Sequence, residues 1–204
     1  MTGILAILFF LNSCDLFTTR TPDPPDLGST FIWTPASTPN LLLENFQGTM
    51  QVLDATNYTK CFISPADTAV SGDKLSFTFT PRAGLPASSQ SIFTLWNIQS
   101  EQNFMTRLQS SLVANPRLGD SLGVTSINQS NSNTADLNIS YVVSLPVQAN
   151  SSIPSQISGT MILHCVLVTT EQATKEWRIV NWQDFAPSSG TAKTFTDLKV
   201  QLSS

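Results

Sequence analysis

The feature that most constrains the fold is the period-two sequence of the second half. "ADLNISYVVSLPV", residues 135–147, places Leu137, Ile139, Tyr141, Val143 and Leu145 on one face, the period of a half-buried strand. "QISGTMILHCVLVTT", the turn "EQAT" and "KEWRIVNWQDF" read as a hairpin over residues 156–185, apolar on both faces at its centre, as in strands covered from two sides. Its turn predicts Val168 opposite Trp177, Val166 opposite Ile179 and His164 opposite Asn181. "LGDSLGVTSINQ", residues 118–129, supplies another strand, turned by "NSNT". Long strands with short turns imply an antiparallel meander, which must bury its apolar face under something else.

The first half supplies the cover. Ser37 or Thr38 is an N-cap candidate before Pro39, and Leu42, Phe46, Met50 and Leu53 form one stripe of an amphipathic helix reaching about Asp54. A short helix follows over 55–62, with Tyr58, Cys61 and Phe62 facing inward. "KLSFTFTP", residues 74–81, alternates Leu75, Phe77 and Phe79 with polar residues and ends at Pro81, a strand. From Ile92 through Phe104, Leu108 and Leu112 the spacing predicts a third helix. The expected fold is α+β, in the order ααβ-αββββ, three helices packed on a curved, mainly antiparallel sheet of about five strands.

The N-terminus belongs to a different regime. "ILAILFFL", residues 4–11, is too short to span a bilayer but has the length of a signal h-region. With Leu11, Asn12 and Ser13 before Cys14 it resembles the lipobox of bacterial lipoproteins, which implies acylation of Cys14 and a mature chain beginning there. The expected organisation is a signal peptide at 1–13, a lipid-attached tether at 14–38 and a folded domain at 39–204. In the tether, Pro22, Pro24, Pro25 and Pro35 fix φ and remove backbone donors. Phe31, Ile32 and Trp33 are too apolar for a solvated linker and are expected to dock on the domain. The lipid membrane is thus the first expected partner, and the bacterial cell envelope, on its periplasmic or surface-exposed side, the expected location.

The element order, with "DATNYTKCF" before "FTFTP" and "WRIVNWQDF" on the last strand, resembles the nuclear transport factor 2-like (SnoaL-like, cystatin-like) cone fold. "TFTDLKVQL", residues 194–202, is similar to the closing segment of uncharacterised lipoproteins of that type. The fold hosts isomerases, dehydratases and inert binding modules, so the resemblance implies architecture and leaves activity to the site.

His164 is the only histidine. The resemblance implies an inward His paired with an Asp for proton transfer near neutral pH, with Asp54 or Asp184 as the available carboxylate; the parity of the last strand, however, puts Asp184 on the face opposite Asn181. The other reading is a structural histidine. Trp96, Tyr141, Trp177, Trp182, Phe77 and Phe79 are candidates to line a concave pocket or simply to fill the space under the helices. Cys61 and Cys165 are either a disulfide or two buried thiols. One His and scattered Cys make no metal-ligand set, and no cofactor is expected. A net charge of -4 without a Lys/Arg cluster argues against nucleic acid. The reading is a non-catalytic ligand-binding or protein-interaction module; the alternatives are an isomerase- or dehydratase-type enzyme and a structural envelope component. A homodimer through the sheet is a further expectation.

Overall fold

In the computed structural model, which describes residues 31–113, 117–147, 151–188 and 191–203, the period-two segments form the sheet. Strands β3 (Gly119–Asn131), β4 (Thr134–Ser144), β5 (Gln156–Thr169) and β6 (Lys175–Phe185) make an antiparallel meander. Short β2 (Thr78–Thr80) adds to β6 in parallel, and two-residue β1 (Thr68–Ala69) pairs with the end of β5. The sheet order is β2-β6-β5-β4-β3, with β1 to the side. The leader, Cys14 and most of the Pro-rich segment lie outside the described residues.

Among the described residues five helices accompany the sheet: α1 (Pro39–Gln51), α2 (Ala55–Thr59), α3 (Ala87–Phe93), α4 (Ile98–Ser111) and α5 (Phe195–Ser203). The inner face of the sheet is the predicted one: Leu137, Ile139, Tyr141 and Val143 on β4 are all buried. With Ile157, Met161 and Leu163 of β5, and Phe46, Met50, Phe104 and Leu108 of the helices, they form one core. The outer face of β4 and β5 is mixed, carrying Asn138, Ser140 and Thr160 beside Val142 and Ile162.

Four expectations need correction. The strand expected over 74–81 is only Thr78–Thr80, the part that pairs with β6; Phe77 and Phe79 are buried as expected, but Leu75 before them is exposed. The single helix from Ile92 is two, because Asn97 caps α4: its side chain accepts from the backbone of Gln99 and Ser100 while Ser100 Oγ accepts from Asn97 N, a reciprocal box that starts a new helix. The order also gains a C-terminal helix, α5. Its start is marked by Thr194, whose backbone N–H and hydroxyl both donate to Asp197 three positions on (3.0 and 3.2 Å). Finally, the hairpin is offset by one residue near its turn, with Leu167 opposite Trp177 and Cys165 opposite Ile179. The connection bends through Ala173 at φ 60°, and a bulge between His164 and Cys165 absorbs one residue and restores the predicted His164–Asn181 pairing.

The apolar end of the tether docks as its composition demands. Phe31 packs where a Cβ on Gly48 would stand, and Asn45 and Thr34 exchange two hydrogen bonds, one of 2.6 Å. Ala36 is fully buried and its carbonyl accepts from Trp177 N (2.8 Å). Ile32 is the exception, 86% exposed. The free edge of β6 is thereby covered in three pieces, by Ala36, by Cys61–Ile63 and by β2, which removes an edge open to strand addition.

Candidate functional site

The helix-covered face of the sheet is where an inner ligand site would lie, and the chain's own side chains fill it. Helix α5 contributes Phe195, Leu198, Lys199 and Leu202, all buried. The Lys199 side chain has no solvent exposure, nor has that of Glu101 on α4, and the two form an ion pair. Glu101 is held on every side: Tyr58 of α2 donates to Oε2 (3.1 Å), and Trp96 Nε1 donates to Oε1 (2.8 Å), the oxygen that also meets Lys199 Nζ. Around the ammonium stand four rings, Phe104 and Trp182 at 4.4 Å, Phe79 at 4.5 Å and Trp96 at 5.0 Å from centroid to Nζ. Ring faces attract a cation, and more so when it is desolvated.

Burial pushes the Lys199 ammonium below its ordinary pKa, with Glu101 and then Asp184 opposing that drop. Burial, and next the adjacent Glu101 carboxylate, push the Tyr58 phenol well above its ordinary value. A second cluster fixes α5 from below. Asp184 of β6 accepts from Tyr141 Oη (2.7 Å) and from both N and Oγ1 of Thr196 (2.8 and 2.6 Å), and Tyr141 Oη accepts from Phe195 N (3.1 Å). At the rim, Arg82 forms a bidentate bridge to Asp197 (3.1 and 2.8 Å), and Arg107 donates to the Leu202 carbonyl (2.6 Å). Trp182 Nε1 is buried without a hydrogen-bond partner among the described residues.

The residues singled out from sequence divide accordingly. Phe77, Phe79, Trp96, Tyr141, Trp177 and Trp182 are all buried in the core. Phe79, Trp96 and Trp182 are walls of the cage, and Trp96 also edges a shallow cleft of about 190 Å³ between α4 and the end of α5. His164 is not in the cone. It lies on the outer face, where Nδ1 is 2.6 Å from Asp136 Oδ1, a carboxylate not anticipated as its partner. Asp54 caps α2 through Asn57 (3.0 and 2.7 Å) and Asp184 belongs to the inner cluster, so neither joins His164. Cys61 and Cys165 are both free and buried. Because Ile179 bonds to Cys61 on one side and pairs with Cys165 on the other, the two lie about two strand spacings, roughly 9–10 Å, apart, beyond disulfide reach.

Sequence reading missed Glu101 and Lys199, although each carries a signal. Glu101 stands on the stripe of Phe104, Met105 and Leu108, and Lys199 on that of Phe195, Leu198 and Leu202. A charge on an apolar helix face has to be paired if the face is buried.

A search of solved structures finds likenesses that cover most of this chain. A Novosphingobium aromaticivorans protein provisionally named an aromatic ring hydroxylase matches with TM-score 0.50 at 10% identity, over 76% of this chain and 91% of its own. An NTF2-like protein of unknown function in nutrient uptake from Rhodospirillum rubrum matches with TM-score 0.48 at 9% identity, over 74% and 98%. A ketosteroid isomerase-like protein from Erwinia carotovora atroseptica matches with TM-score 0.45 at 8% identity, over 74% and 94%. The likeness is one of fold. No protein-family model and no curated protein matches the sequence. Identities this low carry nothing beyond architecture, so what this domain does has to be read from its own side chains.

Proposed function

We propose that this chain is a bacterial cell-envelope lipoprotein whose NTF2-like domain is a non-catalytic binding or interaction module, held at a membrane by acyl chains on Cys14. The observation that carries the non-catalytic reading is the Lys199–Glu101 pair. The volume in which an NTF2-like enzyme would place substrate holds the chain's own ammonium, caged by four rings and paired to a carboxylate. His164 and Asp136 sit on the opposite face of the sheet, and the acid–base groups that do meet inside, Glu101, Lys199 and Tyr58, are bonded to one another and closed to solvent. The lipidated reading rests on the apolar segment ending in "LNSC" and the Pro-rich run after it. Two or more acyl chains would anchor the protein stably without a spanning helix.

Intact mass of the membrane-extracted protein, beside a Cys14→Ala variant, tests the anchor. The expected result is a chain beginning at Cys14 with acyl mass added, and a variant that is unprocessed or released. A chain retaining Met1, with unmodified Cys14, refutes the proposal.

A further inference from the structure

At the turn end of the β5–β6 hairpin a cleft of about 470 Å³ opens between the loop at Thr170–Gln172, the end of α2 and the docked segment at Trp33. None of the residues lining it belongs to the cage. The volume falls in the range of small-ligand sites, roughly 300–1,000 Å³. Arg178, Glu176 and Asp67 reach it, each nine-tenths or more buried. Arg178 Nη1 donates to Glu176 Oε2 (2.9 Å) and to the Trp177 carbonyl (3.2 Å), while Nε stands 3.8 Å from Asp67 Oδ2, too far for a hydrogen bond. Among the described residues, Nε and Nη2 of this guanidinium make no hydrogen bond, so a buried fork has donors to spare. Trp33, half-buried, forms a wall, and the ammonium of exposed Lys60 lies 5.6 Å from its ring centroid.

The charges in the cleft specify the ligand. The lining sets Arg178 and Lys60 against Asp67, Glu171 and Glu176, two positive charges against three negative, and Lys60 Nζ also donates to Asn57 Oδ1 (2.8 Å), so the cleft offers many polar contacts and little net charge. An anion would meet three carboxylates, and a cation would compete with two built-in ones. A hydroxyl suits both, since it accepts from a guanidinium and donates to a carboxylate at once, and hydrogen bonds to charged groups are the stronger kind. An indole face beside such groups fits the apolar C–H face of a sugar ring. We propose that this cleft binds a neutral saccharide, one ring against Trp33 with its hydroxyls bridging Arg178, Asp67 and Glu176. The site does not depend on lipidation or on the closure of the cone.

The test is calorimetry and tryptophan fluorescence on the purified full-length protein with maltotriose, cellotriose and triacetylchitotriose, and with glutamate and sulfate as charged controls. At least one trisaccharide should bind, and Trp33→Ala should weaken it by about tenfold or more, as loss of an aromatic anchor does. Arg178→Lys, which keeps the charge and loses the planar fork, should weaken it comparably; should that variant not fold, Gln172→Ala on the rim is read in its place and should weaken binding measurably. No binding by folded wild type, binding indifferent to Trp33→Ala, or tighter binding of glutamate or sulfate at this cleft each overturns the proposal. None of these outcomes touches the closed cone, which is tested by substitutions at Glu101 and Lys199.

Discussion

Lys199 and Glu101 stand 98 positions apart and form an ion pair that no solvent reaches. Removing both ions from water costs several kcal/mol each, so the pair persists only because Tyr58, Trp96 and four ring faces complete its shell. Breaking it from one side leaves a charge with no counter-ion. Lys199→Met and Glu101→Gln are each expected to lose about 3–5 kcal/mol, and the double variant less than the sum of the two. Urea denaturation of the three variants checks this; single losses under about 1 kcal/mol would mean that α5 does not close the cone.

Acid should loosen the closure from its rim. The Asp197 carboxyl is held below its ordinary value of 3.8: burial alone would raise it, but the Arg82 bridge and the Thr194 backbone outweigh burial. Glu176, ordinarily 4.5, is lowered in the same way against burial, through Arg178 and Thr174. A depressed folded pKa means that the unfolded chain binds more protons between the two values, so stability rises with pH through that window and is lost as pH falls. Unfolding followed against pH should show declining stability below about pH 4.5, and Asp197→Asn should flatten the part of the decline near 3.8. An unchanged slope in that variant would exclude Asp197.

Both inner thiols should be inert. Burial pushes Cys61 up to about 12 and Cys165 above its ordinary value as well, and the thiolate is the reactive form. In a Cys14→Ala variant, a chromogenic disulfide reagent should label neither in the native protein and both after denaturation without reductant. Labelling of the native protein within minutes, or no labelling after denaturation, would contradict the free, buried state.

Gly159 on β5 faces the cluster under α5. A Cβ there would stand 2.5 Å from the Phe185 carbonyl oxygen and 2.6 Å from Tyr141 Oη. Gly159→Ala should therefore displace Tyr141 from Asp184 and destabilise by about 1–3 kcal/mol, the usual range for overpacking. Gly72→Ala, where nothing lies within 4 Å, tests a different effect, the positive φ of 93°. Thermal melts of the two separate crowding from backbone strain, and an undisturbed Gly159→Ala would show that both the Phe185 carbonyl and Tyr141 have room to shift.

Much of the fold was legible because the sheet's periodicity is local. Leu137, Ile139, Tyr141 and Val143 declare an inner face without reference to the rest of the chain, and Pro39 after Thr38 declares a helix start. The split between α3 and α4 was harder, since it turns on one Asn side chain competing for backbone N–H groups inside an otherwise helical pattern. The site was least legible. His164 drew attention because imidazole titrates near neutral pH, yet strand parity turned it outward to Asp136. Glu101 passed unremarked in the stripe of a longer expected helix, and Lys199 lies on a C-terminal helix that was not expected at all.

What the sequence determined by itself was the α+β class, the strand faces and the helical stripes of the first half, because those depend on spacings of two to four residues. Tertiary structure decided what the cone holds. Whether a lysine ends in water or in a ring of aromatics depends on where a C-terminal helix meets residues about a hundred positions earlier, and the free energy of that meeting belongs to neither segment alone.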